Sequence, residues 1–457
     1  MGLYLKLAFG NVRRSARDYS VYFATLGFAA CLLYSFVASS DYLNRLDLSP
    51  DQMGVVASSG DILQAFSIFT VLVFLFLVRY ANRFLLRRRS REFALYKLVG
   101  MDRGAVSCVL VMETACVGVL ALALGVLLGV ALSPAFGAIT AFVFDVPWHP
   151  MVVFSSQSAV WTSGCFAAVF ALNAYDGARN IGRRPLIELI AAERAPEEVA
   201  STGGRLARGV QVAVAAVLLA VVWGACVFQP VYFIAFIIPM GFAACFATAL
   251  VARIVVTGWA ARARRRTERY WRGLRAFTVR QVEARVASSS MALACVCVLI
   301  AVSVCMMVAG FAFSVGMRTP ELVSQGLATS MAPIGFIGIF YGSVFLLSAV
   351  AVLSLQQLSG AADARHAYAS LTKLGCERAD MALSVRKQVL LCFAAPFAGA
   401  MVHDVFGLFL VAFLAFALGT SGFFAITGGV LLFTAALLAV YGVLTSLAVE
   451  HLCLADA

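Results

Sequence analysis

Runs of about twenty apolar residues recur along the whole chain, and no other feature restricts its fold so tightly. A helix that crosses a bilayer needs roughly 20 such residues, because backbone polar groups in hydrocarbon must be satisfied within the segment itself. Ten runs meet that length, at 19–39, 62–82, 107–133, 151–174, 209–228, 231–253, 288–315, 332–356, 388–416 and 423–449. Only Gln229 and Pro230 separate the fifth from the sixth, which predicts a tight hairpin there. Hydrophobic residues make up 62% of the chain and charged residues 13%, against about a quarter charged in soluble domains. The expected class is an all-α polytopic protein of the cell membrane. The first run is long enough to span and lacks a clear cleavage site, so it is expected to stay as a helix.

The net charge of +12 is distributed by loop rather than in one patch. Loops 79–103, 175–208, 253–285 and 359–387 are rich in arginine, whereas 40–61, 134–150, 317–331 and 417–422 are poor in it. The first of the poor loops also carries Asp41, Asp47, Asp51 and Asp61. Positive residues collect on the cytoplasmic side, so both termini are predicted to be cytoplasmic. The basic balance therefore points to lipid and not to nucleic acid. Arg87-Arg88-Arg89 and Arg264-Arg265-Arg266 read as helix ends anchored against anionic lipid. At the start, Leu5, Leu7, Phe9 and Val12 alternate with Lys6, Arg13, Arg14 and Arg17, as in an interfacial helix. Pro185 opens a further short helix with Ile187, Leu189 and Ile190, followed by a loose linker.

The chain also repeats itself. From Arg91 to Gly129 an amphipathic segment ends at Gly100, a polar link follows, and an apolar helix then begins with Glu113 near its start. A second copy lies 275 positions on, with Gly100 on Gly375, Asp102 on Glu377, Arg103 on Arg378 and Glu113 on Gln388. Arg272–Arg285 repeats the start of the chain, with Phe9 on Phe277 and Arg17 on Arg285. The plan is thus four spans, two extra spans and four spans, with boundaries at 1–208, 209–260 and 261–457 and the basic stretch 261–272 at the second junction.

Charges inside spans are expensive and mark candidate sites. Glu113 sits just inside the third span, where it is either half of an ion pair with Arg103 or Lys97 or an interfacial carboxylate. His403 and Asp404 lie deep in the ninth span, as a satisfied polar pair holding helices together or as groups that pass substrate or protons. Asp145 and Trp148 suit an outer-interface loop. Gly125 and Gly129, four apart, allow a close helix approach. The twelve cysteines lie mostly within apolar runs without C-x-x-C spacing, and the four histidines are far apart, so neither a disulfide framework nor a metal site is expected. No catalytic constellation and no bound cofactor is implied. A G-x-x-x-x-G-K-[ST] phosphate loop is absent, which argues against nucleotide hydrolysis by this chain through that motif.

Several motifs resemble those of the FtsX-like permease family of ABC transporters, most closely its bacitracin-export branch. They are K-L-A-F-x-N-V-R-R…D-Y-S-V-Y at Lys6–Tyr22, R-R-x-R-E-F-A-L-Y-K-L-V-G-M at Arg88–Met101 and M-E-T at Met112–Thr114. The second half has Y-x-x-L-x-K-L-G at Tyr368–Gly375, K-Q at Lys387-Gln388 and P-x-x-x-A-x-V-H at Pro396–His403. The resemblance implies a permease driven by separate cytoplasmic ATPase subunits, one at each of two coupling helices. Carried over, the coupling residues are Arg91, Glu92, Phe93, Tyr96, Lys97 and Gly100, then Arg365, Tyr368, Lys373 and Gly375. It also implies export or extraction of an amphiphile such as an antimicrobial peptide or a lipid-like compound, or mechanical signalling across the membrane. The alternative is a regulatory module acting with a sensor kinase, a second permease or a cell-wall hydrolase. A secondary transporter built on His403 and Asp404 is a third reading. One departure stands out: that branch has a large outer domain between the seventh and eighth spans, whereas this chain has only Gly316–Pro333 there.

Overall fold

A computed structural model describes Gly10 and Asn11, 16–38, a few positions between 71 and 86, 89–135, 138, 152, 154–183, 205–316, 327–417, 419–420 and 422–454. Most of the second run and of the interfacial start of the chain, the short helix expected from Pro185, the Asp145–Trp148 loop and 317–326 of the seventh-to-eighth connection lie outside the described residues. Among the described residues every regular element is helical.

The helices are α1 (Ala16–Val37), α2 (Ser90–Leu98), α3 (Arg103–Ala131), α4 (Ser156–Arg183), α5 (Arg205–Phe228), α6 (Pro230–Ala235), α7 (Ile237–Arg265), α8 (Thr267–Tyr270), α9 (Arg275–Gly316), α10 (Leu327–Lys373), α11 (Arg378–Ala417) and α12 (Phe423–Leu454). Seven stretches among the described residues are long and apolar enough to cross a membrane: Gly104–Ala131, Leu206–Phe228, Ile237–Arg265, Ser289–Val315, Ile337–Leu358, Arg378–Phe416 and Phe423–Leu454. They coincide with seven of the ten apolar runs. In the first run the apolar part of α1 is shorter, Tyr22–Ser35. The fourth run is a full-length helix, α4, but Gln157, Thr162, Ser163 and Asn173 dilute its apolar surface.

The expected hairpin at Gln229-Pro230 is longer than two residues. Proline at the first helical position starts α6, and α7 begins only after Phe236 breaks the helical backbone. In α9 the amphipathic stretch from Arg275 and the span from Ser289 form one 42-residue helix with a kink at Ser289, whose hydroxyl donates back to the Arg285 carbonyl at 2.6 Å.

The chain divides into two compact units, one of Met1–Pro196 with Thr329–Phe336, the other of Glu197–Ala328 with Ile337–Ala457. In the first, α1 and α3 meet backbone to backbone. A Cβ on Gly125 would lie 2.5 Å from the Gly27 carbonyl oxygen, and one on Gly129 2.6 Å from the Tyr34 ring, so only glycine permits this approach. Arg79 pairs with Asp176 at 2.5 Å and Asn82 donates to the Asn173 carbonyl at 3.0 Å, tying the end of the second run to α4. In the second unit, Ser303 of α9 donates to the Gly342 carbonyl of α10 at 2.7 Å, and Thr445 of α12 donates to Ser354 of α10 at 3.1 Å.

Candidate functional site

The repeat seen in the sequence is also a repeat of backbone geometry. Gly100 closes α2 in the left-handed region (φ +94°), its amide donating to the Lys97 carbonyl at 3.2 Å and that of Met101 to the Tyr96 carbonyl at 3.0 Å. Gly375 closes α10 in the same way (φ +81°), with its amide on the Thr372 carbonyl at 3.0 Å and that of Cys376 on the Leu371 carbonyl at 3.1 Å. The following helices begin at Arg103 and Arg378, again 275 positions apart. Asp102 caps the first of them by accepting from the Gly104 amide at 3.3 Å. The second coupling segment differs in one respect. Arg365–Lys373 is the last part of α10, whereas its counterpart is a separate helix that starts after Arg89.

Arg89 is the centre of the first unit's site. Its side chain is 0% exposed, and an isolated guanidinium buried in this way is untenable without partners. It has several. The guanidinium pairs with Glu113 and with Glu92, donates to the Tyr19 phenol, and lies over the Tyr19 and Phe93 rings at 5.2 and 5.4 Å. Tyr19 in turn donates to Glu113 Oε2 at 2.8 Å, while Asn11 donates to Glu113 Oε1 at 2.6 Å and to the Tyr96 hydroxyl at 2.8 Å. Burial works against the Arg89 charge, but Tyr19, Glu113 and Glu92 outweigh it and hold the group protonated more firmly than a free arginine. One side chain thus ties the root of α2 to α1 and α3.

This corrects two expectations. Arg89 belongs to a basic triplet read as a lipid anchor, yet it is wholly enclosed. Glu113 takes Arg89 rather than the Arg103 or Lys97 suggested by proximity in sequence. A partial signal was present: a carboxylate just inside one span needs a cation, and the arginines that follow the preceding apolar run include Arg89, with Glu92 three residues on.

The remaining coupling residues fall into two groups. Phe93 is buried against Val106 and Leu110, with Leu86, Tyr96 and Met101 around them. Glu92, Tyr96 and Lys97 are partly buried, Gly100 is exposed, and of Arg91 the structure describes only the backbone. Leu95, Leu98 and Val99 project outward, Val99 with 84% of its surface exposed. In the second unit Tyr368 is buried, accepts from the Gln388 amide at 3.0 Å, and packs edge-on against Phe277 at 5.3 Å. Ser384 extends this chain to Thr278 at 2.7 Å. Burial pushes the Tyr368 phenol up, so it remains protonated. Arg365 is partly buried, while Lys373 and Gly375 are exposed beside the outward-facing Leu374.

His403 and Asp404 do not act as a pair, because consecutive helical residues point about 100° apart. His403 joins the extra helices to α11: Trp223 Nε1 donates to its Nδ1 at 3.2 Å and Thr248 meets its Nε2 at 2.9 Å. An indole only donates, so Nδ1 accepts and the proton resides on Nε2. Trp223 also stacks on Phe406 at 4.4 Å. Asp404 is 2% exposed, accepts from the Cys305 thiol at 3.5 Å, and its other oxygen has no hydrogen-bond partner among the described residues. Among the described residues no group of three or more His, Cys, Asp or Glu side chains is placed to hold a metal ion.

Residues 64–175, which contain Arg89, Glu92 and Glu113, match the family described as FtsX-like permease C-terminal. The chain is 26% identical over 167 residues to the bacitracin export permease protein BceB of Bacillus subtilis, covering 36% of this chain and 25% of that one. It is 24% identical over 172 residues to the ABC transporter permease protein YxdM of the same organism, covering 38% and 27%. It is 25% identical over 162 residues to BceB of Halalkalibacterium halodurans, covering 35% and 24%. The chain therefore spans about a quarter of the length of these relatives. With the backbone register and the matched segment together, residues 64–175, which carry Arg89 and Glu113, are similar to an FtsX-like permease domain.

Proposed function

We propose that this chain is the membrane-spanning subunit of an ABC transporter, moved by separate ATPase chains that dock at the tips of α2 and α10. The observation that carries the reading is the Arg89 node. A force applied to α2 reaches α1 and α3 through a buried ion pair and aromatic contacts rather than being lost in a loose loop. Exposed Leu95, Leu98 and Val99 on one tip and Leu374 on the other supply the apolar anchors expected of a docking surface. The names of the relatives, an ABC transporter permease and two bacitracin export permeases, agree with it.

In this reading there are two ATPase copies, one at each tip, and the tips and both termini face the cytoplasm. The spans follow the four-two-four plan. The cargo is an amphiphile drawn from the membrane, or the output is mechanical. Co-purification tests it: the wild-type chain should bring down a Walker-type ATPase, and Leu98→Asp with Val99→Asp should release it while leaving the chain in the membrane. Substrate movement in vesicles on an ion gradient alone, with no ATPase bound, would overturn the proposal. Recovery of a sensor kinase or wall hydrolase alongside the ATPase, without transport, would favour the regulatory reading.

A further inference from the structure

The second basic triplet behaves unlike the first. α7 ends at Arg265, α8 is a single turn, and α9 starts at Arg275, so 262–275 forms an elbow between two membrane helices. This elbow is fixed in place. Tyr270 is buried with Ala260 and Val279, with Ala263 and Ala276 packed against them, Gly273 makes the turn at φ +58°, and Arg264 is paired with Glu283. The other six arginines, Arg262, Arg265, Arg266, Arg269, Arg272 and Arg275, are exposed, with Glu268 the single acidic residue among them. Among the described residues none of the six forms an ion pair with a carboxylate. Trp271 sits in their midst, 70% exposed, with the buried Tyr270 ring edge-on to it at 5.2 Å.

We propose that this elbow is a binding surface for anionic phospholipid head groups, with the arginines on the phosphates and Trp271 inserted at the depth of the ester region. Three features single out lipid over an acidic protein. The surface begins in the last turn of a span, where head groups lie whichever way the chain is oriented. Guanidinium forks match phosphate oxygens two at a time. An exposed tryptophan beside them has an apolar ring with one polar edge, the chemistry favoured at the bilayer interface. The surface would hold this end of α7 and α9 at a fixed depth, independent of what drives the transporter.

The full chain in nanodiscs of phosphatidylcholine with phosphatidylglycerol tests it. Either lipid is supplied in its dibrominated form, and the Trp271 signal is taken as wild type minus Trp271→Phe. Brominated phosphatidylglycerol should quench Trp271 about threefold more than brominated phosphatidylcholine at equal mole fraction, reflecting the attraction of several basic residues for an anionic surface. High salt and Arg265→Gln with Arg266→Gln and Arg269→Gln should remove that preference, and lysine at the same three positions should keep most of it. Equal quenching by the two lipids in the wild type overturns the proposal, and that measurement needs no folded variant. An unquenched Trp271 would place the elbow off the bilayer, against protein, and would overturn it equally.

Discussion

The two edges at Gly100 and Gly375 share a turn and a helix start and differ in what is buried beside them. In the sequence register, Asn11 corresponds to Val279, Tyr19 to Ala287, Arg89 to Ala364 and Glu113 to Gln388. Both charges of the Arg89–Glu113 pair are thus neutral in the second unit, and all four counterpart residues are buried, between 4% and 8% exposed. What remains there is a phenol–amide link, Tyr368 with Gln388, although Arg285 reaches the same helix to donate to Gln357 at 2.6 Å. Deeper in the membrane the exchange runs the other way. Gly129 packs on Tyr34 in the first unit, and its counterpart in the second is Asp404. A duplicated fold therefore constrains the turns and helix starts tightly while leaving the polar wiring free to move from edge to interior. A buried ion pair contributes little net stability compared with an apolar replacement, but breaking it is costly. The first unit is the one that a single substitution can damage.

The largest effect should come from breaking that pair on one side only. Glu113→Ala should lower unfolding stability in detergent by about 3–5 kcal/mol, the cost of an orphaned buried charge, whereas Gln388→Ala should cost about 1–2 kcal/mol for one neutral hydrogen bond and some packing. Equal losses would mean the two edges are energetically alike after all. Removing both charges with Arg89→Met and Glu113→Gln, which makes the pair neutral as in the second unit, should recover most of the loss, read by the same melt. ATPase-coupled function should nonetheless fall if the pair transmits force.

Next in size, Gly125→Ala should cost about 1–3 kcal/mol by overpacking α1 against α3. The second unit already holds Ala400 at that register, so Ala400→Gly should be the milder change, checked by comparing the two melts. Smaller still, Gly100→Ala and Gly375→Ala should each cost about 1–2 kcal/mol, and by the same amount, since both need a left-handed backbone. The smallest loss, about 0.6 kcal/mol, is expected from Thr248→Val, which deletes one hydrogen bond to His403 inside the membrane.

Elements set by local chemistry were legible in the sequence. Seven of the ten apolar runs announced helices long enough to cross a membrane among the described residues, Gly100 and Gly375 announced the helix ends, and Gly125 with Gly129 announced a close approach, because each depends on the residue itself. Side-chain partners were not. Arg89 looks much like Arg265 in a linear reading, and it is the folded arrangement of α1, α2 and α3 that encloses Arg89 while Arg265 stays exposed. His403 and Asp404 were expected to need partners, but Trp223 lies 180 positions from His403 and Cys305 lies 99 from Asp404. Separations of that size leave no periodic trace. The tip residues Leu95, Leu98 and Val99 could be seen as apolar, but their exposure could not.

The uninterrupted course of α10 has a mechanical corollary. Lys373 lies fifteen residues beyond Leu358, where the membrane stretch of that helix stops, so the overhang is about 22 Å at 1.5 Å per residue. A rod of that reach converts a 5 Å shove at its end into a tilt on the order of 13°. The shorter arm in the other repeat begins anew after Arg89, where the buried pair with Glu113 clamps its root. Equal strokes applied to both ends would therefore come out as unequal rotations.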